Sequence, residues 1–131
     1  QDITSLQRIG LSGTLIDNHS VRHVAALKNL IGLSLRGTRL TDEGVMQLAD
    51  LSNLEVFWLD RTQVTEAGLG WLSQLSELRE LGLRNCPVGD GFVALTASLP
   101  QLAGLNIHGT LISETGVSTL KTVLPDCEII R

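Results

Sequence analysis

The chain has 131 residues, a length typical of one domain, and 43% of them are hydrophobic with only two Trp, two Phe and no Tyr. Its formal net charge of −4 argues against a general nucleic-acid binder, which needs a basic surface. No apolar run approaches the roughly 18 residues of a membrane span, and no signal peptide is visible. These properties predict a domain with an aliphatic core and no membrane insertion.

A leucine returns every 24 residues, and this period organises the whole chain. Self-similarity at such a period predicts a solenoid whose units stack only on their neighbours. We predict one domain over residues 1–131, with a partial sixth strand at Cys127 to Ile130. Ile3 resembles the tail of a preceding repeat, so we expect a piece of a longer protein. The five repeats start near Leu6, Leu30, Leu54, Leu78 and Leu102.

Each repeat opens with the pattern L-x-x-L-x-L-x-x-T-x-[ILV]. Its L-x-L step, as in Leu33 and Leu35, puts two apolar side chains on one face of a short strand. Because every unit repeats the same path, the strands must run parallel. The first half of each repeat therefore predicts one strand of a parallel sheet.

The second half of each repeat predicts a short helix. It opens with Thr or Ser and an acid, as in Thr41-Asp42-Glu43-Gly44, where the hydroxyl can cap free amides and the carboxylate suits the helix dipole. Apolar residues then recur three apart, as in Leu69, Leu72 and Leu75, which indicates one buried stripe. The predicted fold class is α/β: a right-handed solenoid with a parallel concave sheet and short helices on the convex side.

A threonine position keeps the same period just after each strand. We predict that these side chains donate hydrogen bonds to the turn backbone of neighbouring coils, because buried backbone groups need partners. Cys is the weakest hydrogen-bond donor of the set, and the fourth repeat is one residue short at its turn. We therefore expect the fourth coil to be the least stable. The predicted ladder comprises Thr14, Thr38, Thr62, Cys86 and Thr110.

The two cysteines fall on strands two steps apart, at Cys86 and Cys127. Such strands lie about 10 Å from each other, whereas a disulfide needs Cα atoms within about 7 Å. We therefore expect two buried thiols that pack as small hydrophobic groups.

The repeat resembles that of leucine-rich repeat proteins. It is similar to a bacterial 24-residue form that ends in T-x-[ILV]-T-D-x-G, carried here by residues 38–44, and is related in pattern to cysteine-containing and ribonuclease-inhibitor-like repeats. The resemblance covers essentially the whole chain. It implies protein–protein recognition on the concave sheet, without catalysis and without a cofactor.

The pleat predicts which side chains face outward from the concave sheet. Trp58 lies between Phe57 and Leu59, which occupy core positions, so alternation turns its indole outward beside the small residues Ser34 and Gly82. Trp and Arg dominate binding hot spots, so Trp58 is the candidate anchor; the alternative is that it folds flat over the glycines and covers the sheet. The remaining candidate binding residues are Val56, Arg36, Asp60, Arg84, Glu80, Asn106 and His108.

Charge on this face differs in sign from that of the whole chain. Four arginines, at positions 8, 36, 61 and 84, outnumber Asp60 and Glu80. A mildly basic face with an apolar centre suits an acidic or mixed-charge protein segment. The alternative is ordinary solvated charge, in which Asp60 pairs with Arg36 or Arg84 across neighbouring strands.

Other chemistry is not indicated by the sequence. His19 and His23 are four apart, but no third ligand has matching spacing for a metal. His108, Asp60 and Ser34 come from separate strands of an open sheet, where nothing excludes water or orients a base, so we predict no enzyme activity.

The favoured interpretation is an interaction module that binds a protein or peptide on the concave sheet. One alternative is a structural spacer whose ends pack on further repeats of the same parent protein. Another is the recognition domain of a larger protein, such as a ligase effector, whose catalytic part is not in this chain. A cytoplasmic and an exported protein are both compatible with the sequence.

Overall fold

A computed structural model describes residues 6–131, in which six short parallel strands form one sheet in chain order. Ile3, which suggested a preceding repeat, lies outside the described residues. Each strand residue pairs with the residue 24 positions later, as Leu33 does with Phe57, so the period of the sequence is also the register of the sheet. The strands are β1 Arg8–Gly10, β2 Gly32–Ser34, β3 Val56–Trp58, β4 Glu80–Gly82, β5 Gly104–Asn106 and β6 Glu128–Ile130.

Short helices follow the strands. The third coil carries 3₁₀ turns where the sequence predicted a short helix without specifying its type. Its leucines at 69, 72 and 75 are fully buried, because a spacing of three keeps them in line on a helix with three residues per turn. The α-helices are α1 Arg22–Ala25, α2 Asp42–Val45, α3 Gly91–Leu95 and α4 Glu114–Val123, and the 3₁₀ helices span Met46–Leu48, Glu66–Gly68, Gly70–Gln74 and Thr96–Ser98.

The core lies between the sheet and the helices, and it is aliphatic as the composition requires. Four of the repeating leucines, at 30, 54, 78 and 102, are buried, and each contributes about 1.5–3 kcal/mol through burial. Phe57 is fully buried and its ring centroid lies 5.9 Å from that of the half-buried Trp71. The core therefore supports the sheet from behind and leaves its concave side to solvent.

The threonine positions differ from the predicted ladder between coils. The hydroxyls of Thr14, Thr38, Thr62 and Thr110 each donate, at 2.7 Å, to the carbonyl oxygen three residues earlier in their own coil. A short hydroxyl side chain just after a strand reaches its own chain first, which is the physical reason for the difference. Cys86 behaves as predicted, since its Sγ donates to the carbonyl of Leu59 in the preceding coil at 3.0 Å.

A different ladder joins the coils, at the turn that leads into each helix. Its acceptors are 24 residues apart, and each takes a hydrogen bond from the backbone N–H of the residue 23 positions later, in the next coil. Because Asp90 keeps this spacing, the fourth repeat is not one residue short at its turn, and that prediction was wrong. The donor–acceptor distances lie between 2.7 and 3.0 Å. We call this set the inter-coil ladder: Asn18 with Thr41, Asp42 with Thr65, Glu66 with Gly89, and Asp90 with Ser113. Glu114, next in the series, accepts from Arg131 Nη2 at 2.5 Å.

The inter-coil ladder revises the predicted role of the acids in the T-D-x-G motif. We expected these carboxylates to act at the helix N-terminus, whereas Asp42 and Asp90 bond the next coil. Hydrogen bonds from the Ser113 hydroxyl and N–H lower the pKa of the Asp90 carboxyl. The predicted hydroxyl caps are present at Thr65 and Ser113, while the Thr41 hydroxyl accepts a bond from Asn18 Nδ2 instead.

The glycine of the motif makes room for the ladder. A Cβ at Gly68 would collide with the side chain of Asp42, and one at Gly116 would collide with Asp90. The Asp of one coil and the Gly of the next therefore act together to hold two coils in contact.

Candidate protein-binding face

Trp58 lies at the centre of the concave sheet with its indole partly exposed, while Phe57 beside it is fully buried. Its neighbours across the sheet are Ser34 and Gly82, as the register predicted. The guanidinium carbon of Arg36 lies 4.5 Å from the centroid of the Trp58 ring, within cation–π range. The ring edge rests against Gly82, where an added Cβ would collide with it. Trp58 is thus held in one orientation and still presents surface to solvent.

Asp60 differs from the outward-facing residue that the pleat predicted, because it is only 5% exposed. Its Oδ1 lies 3.7 Å from Nε of Arg36, so it pairs with one of the two arginines considered. Gly82 lacks a side chain, and this space accommodates the Asp60 carboxylate beside the indole. The buried Asp60 carboxylate therefore balances the positive charge of Arg36, and it is not available as a contact for a partner.

Three hollows lie along the concave face, and Trp58 borders two of them. The first hollow, of about 300 Å³, lies against the first three strands and is lined by Arg8, Gly10, Gly32, Ser34, Val56 and Trp58 among others. The second hollow, of about 240 Å³, is lined among others by Arg36, Trp58, Glu80, Gly104, Leu105, Asn106, Glu128 and Ile130. The third hollow, also about 240 Å³, is lined by Arg84, Asn106, His108 and Ile130.

Two residues of this face were missed by the sequence interpretation. Glu128 and Ile130 belong to β6, which was predicted as a strand but not included in the face. The sequence period could have identified Glu128 as a residue of this face, because it follows Glu80 and Gly104 at the same 24-residue spacing. With Glu128, four arginines face three carboxylates, so the face is less basic than predicted.

On the last three strands the charged and polar side chains form two rows. Glu80 and Glu128 stand at the first residue of their strands, whereas Arg84 stands two residues after the last residue of its strand, at the position that Arg36 has in the second coil. His108 belongs to the same row as the two arginines, and its Nδ1 lies 3.2 Å from the carbonyl oxygen of Arg131. The face therefore offers carboxylates along one edge of the last strands and cations along the other.

The described residues contain little that favours other chemistry. No group of three or more His, Cys, Asp or Glu within residues 6–131 is arranged to hold a metal ion. Cys86 and Cys127 are both free thiols; Cys86 is buried as expected, whereas Cys127 in the last turn is only half-buried. Burial raises the pKa of each thiol, that of Cys127 to about 11. In the same part of the chain no helix has the length and apolar character needed to cross a bilayer.

Solved structures with the same fold are known. No protein-family model and no curated protein matches the sequence. The chain superposes on internalin C2 of Listeria monocytogenes with a TM-score of 0.77 at 29% identity, over 98% of this chain and 52% of that one. For internalin F of the same species the TM-score is 0.75 at 22% identity, over 98% and 35%.

A third match comes from a plant. It is the leucine-rich-repeat ectodomain of the membrane receptor kinase GASSHO1/SCHENGEN3 of Arabidopsis thaliana, solved in complex with CASPARIAN STRIP INTEGRITY FACTOR 2. Its TM-score is 0.63 at 20% identity, over 97% of this chain and 15% of that one. The chain thus spans about half or less of each of these proteins, and the comparisons indicate no enzymatic family. Six parallel strands in one open sheet, backed by short helices and shared with these proteins, give this chain the α/β leucine-rich-repeat fold.

Proposed function

We propose that this chain is a protein-interaction module that binds a segment of a protein or peptide on its concave sheet. The observation that carries the proposal is Trp58, a partly exposed aromatic side chain that is held by Arg36 and borders two hollows. A fixed aromatic side chain loses little conformational freedom on binding, and Trp is enriched among the residues that dominate binding energies. The plant ectodomain solved in complex supports such a role for the fold in general.

The same proposal includes the type of repeat and the charge of the partner. The T-D-x-G motif and the two Listeria structures support the bacterial 24-residue type. Because Arg84 and His108 line the third hollow while Glu80 and Glu128 line the second, a mixed-charge segment suits the face better than a uniformly acidic one. Complementary charges of this kind speed association and fix the orientation of the partner.

A second candidate function is a spacer or recognition part within a larger protein. Leu111 and Ile130 in the last coil are 68% and 50% exposed, and apolar residues at the end of a solenoid favour contact with further repeats. A spacer would not depend on Trp58, so the two functions make opposite predictions about this residue.

The proposed function is tested by affinity capture from native lysate with quantitative mass spectrometry. The baits are the unaltered chain, Trp58→Ala, and Met46→Ala as a control, since Met46 is an apolar side chain that is exposed on the helical side. We expect a protein that is retained by the unaltered chain and by Met46→Ala and is lost by Trp58→Ala. Equal retention by all three baits would favour the spacer.

The capture result depends on Trp58→Ala remaining folded, which urea denaturation can establish. Leu59 is fully buried, so Leu59→Ala should lower the free energy of unfolding by about 2–5 kcal/mol. Trp58→Ala should lower the free energy of unfolding far less, because the Trp58 side chain is partly exposed on the sheet whereas Leu59 is enclosed in the core. If Trp58→Ala were the more damaging change, Trp58 would act in folding and its loss of capture would carry no weight.

A further inference from the structure

We propose that the second hollow receives a basic side chain of the partner, a lysine or an arginine, between the carboxylates of Glu80 and Glu128. The inference rests on the proposed function, because it names the chemistry of the partner at the same face. It adds to that function a defined position on the sheet for one positively charged side chain of the partner.

The shape of the second hollow suits a long side chain with a charged end. Its lining includes Gly104, the buried Leu105, Trp58 and Ile130, which together give it apolar surface. Glu80 leans across Gly104, where any Cβ would collide with its carboxylate. An aliphatic stem can therefore pack on this apolar surface while its charged end reaches the carboxylates, the arrangement that lysine and arginine adopt on protein surfaces.

The two carboxylates have no neutralising partner within the described residues. The ion pairs in residues 6–131 are Lys28 with Asp50, Arg36 with Asp60, and Arg131 with Glu114. Neither Glu80 nor Glu128 takes part in a side-chain hydrogen bond there. Arg36 also borders the hollow, but Asp60 already balances its charge and its guanidinium is stacked on the indole. The uncompensated charge of the hollow is therefore negative.

The effect of this negative charge is seen at a neighbouring residue. The pKa of the Cys127 thiol is raised to about 11, first by burial and then by the charges of Glu80 and Glu128. Both carboxylates thus act on the same small volume at the end of the sheet.

Other occupants of the second hollow are disfavoured by the same charges. An acidic side chain would meet two carboxylates, and an apolar one would remove them from water without compensation, which is costly. A cation forms charge-assisted hydrogen bonds with the carboxylates. Because the Arg84 guanidinium lines the third hollow, this position also fixes the direction in which the partner segment lies on the sheet.

The hollow is tested by NMR titration of the full chain with N-acetyl-lysine N-methylamide, and with the norleucine analogue as a neutral control of similar size. We expect saturable shifts at the Trp58 indole N–H and the Gly104 amide, with a dissociation constant on the order of 10 mM for a single side chain. Glu80→Gln and Glu128→Gln should each weaken binding about tenfold, and Glu43→Gln, an exposed carboxylate on α2, should leave it unchanged. Equal shifts with norleucine, or no shift up to about 100 mM lysine analogue, would overturn the proposal.

The capture experiment separates this inference from the proposed function. A partner that depends on Trp58 but binds Glu80→Gln and Glu128→Gln as well as the unaltered chain keeps the proposed function and contradicts the basic side chain. Conversely, saturable binding of the lysine analogue without any partner that depends on Trp58 supports a cation-binding hollow and contradicts the proposed interaction module. Loss of the partner in both Glu→Gln variants supports both.

Discussion

One residue in each coil has a left-handed backbone conformation, at a position that repeats every 24 residues. Three of these are glycines, at positions 13, 37 and 109, with φ between 65° and 74°. Asn85 and Arg61 take the same conformation at φ 59° and 58°. Glycine adopts this conformation without steric cost and Asn tolerates it, whereas a long side chain with a Cβ is disfavoured there. Arg61 is therefore held in place by the coils on either side.

Replacing Arg61 by glycine should stabilise the protein. We expect Arg61→Gly to raise the free energy of unfolding by about 1 kcal/mol, because the left-handed conformation costs a non-glycine residue about that much. Gly37→Ala is the matched reverse change in an exposed turn and should lower stability by a similar amount. Urea denaturation of both variants measures the effect, and a destabilised Arg61→Gly would mean that the arginine side chain makes contacts worth more than the strain.

Cys127 gives stability a pH dependence in the alkaline range. Its folded pKa of about 11 lies above the ordinary value of 9.0, so the folded state holds the thiol proton more tightly than the unfolded state does. Stability should therefore be constant below about pH 9 and fall as the pH rises toward the folded pKa. Thermal unfolding between about pH 8 and pH 10 should show a smaller loss for Cys127→Ala than for the unaltered chain.

The same thiol should react slowly with alkylating agents while the protein is folded. A pKa of about 11 gives about a hundredfold less thiolate at neutral pH than a thiol with the ordinary value of 9.0. Iodoacetamide labelling followed by mass spectrometry should thus show Cys127 protected in the folded chain and labelled in urea. Fast labelling of the folded chain would contradict the raised pKa.

At the scale of elements, the inter-coil ladder accounts for why successive coils stay in contact at their turns. The Asp42 carboxylate accepts from Thr65 N–H at 2.7 Å and from the Thr65 hydroxyl at 2.5 Å. Asn18 makes the equivalent pair of contacts with Thr41, accepting with its carbonyl oxygen and donating with its amide nitrogen. An amide and a carboxylate are therefore interchangeable in geometry at this position.

The ladder predicts a graded response at Asp42. Asp42→Ala should lower the free energy of unfolding by about 1–3 kcal/mol, because it leaves the Thr65 N–H and hydroxyl without their acceptor. Asp42→Asn should retain most of the stability, as Asn18 shows, and Glu43→Ala next to it should have little effect. Urea denaturation decides between this role and the helix-dipole role, since in the latter Glu43→Ala would cost about as much as Asp42→Ala.

The period of the sequence predicted the strands and their register because burial follows the repeat itself. The alternation of side chains along the strands places Leu33 and Phe57 in the core, and both are buried. The burial of Asp60 could not be predicted in the same way, because it depends on the absence of a side chain at Gly82 in the next coil. The acidic character of the second hollow depends likewise on Glu80 leaning across Gly104 toward Glu128. Contacts between coils are set by pairs of residues, and the alignment of single positions does not reveal them.

For the molecule as a whole, stability is close to a sum over coils and the interfaces between them, so one weak coil matters. The fourth coil has Thr96 at the buried position that leucine occupies in the second, third and fifth coils, at 48, 72 and 120. It also carries Cys86, whose sulfur lies 3.5 Å from the Thr62 hydroxyl, at the position where threonine stands elsewhere. Thr96 buries less apolar surface than the leucines of the other coils, and the Cys86 thiol is a weaker hydrogen-bond donor than a threonine hydroxyl. Both differences weaken the fourth coil relative to its neighbours.

Hydrogen exchange tests whether the fourth coil is the softest of the inner coils. The amides of Glu80–Gly82 in β4 should exchange faster than those of Val56–Trp58 in β3, although both strands have a neighbour on each side. Cys86→Thr should slow exchange in β4 about fivefold, because the hydroxyl can donate to the carbonyl of Leu83 as the other threonines do within their own coils. Cys86→Ala, which removes the donor, should speed exchange in the same amides. Uniform protection of β3 and β4, unaffected by either change, would mean that the interfaces with the third and fifth coils stabilise the fourth coil enough to offset its weaker core.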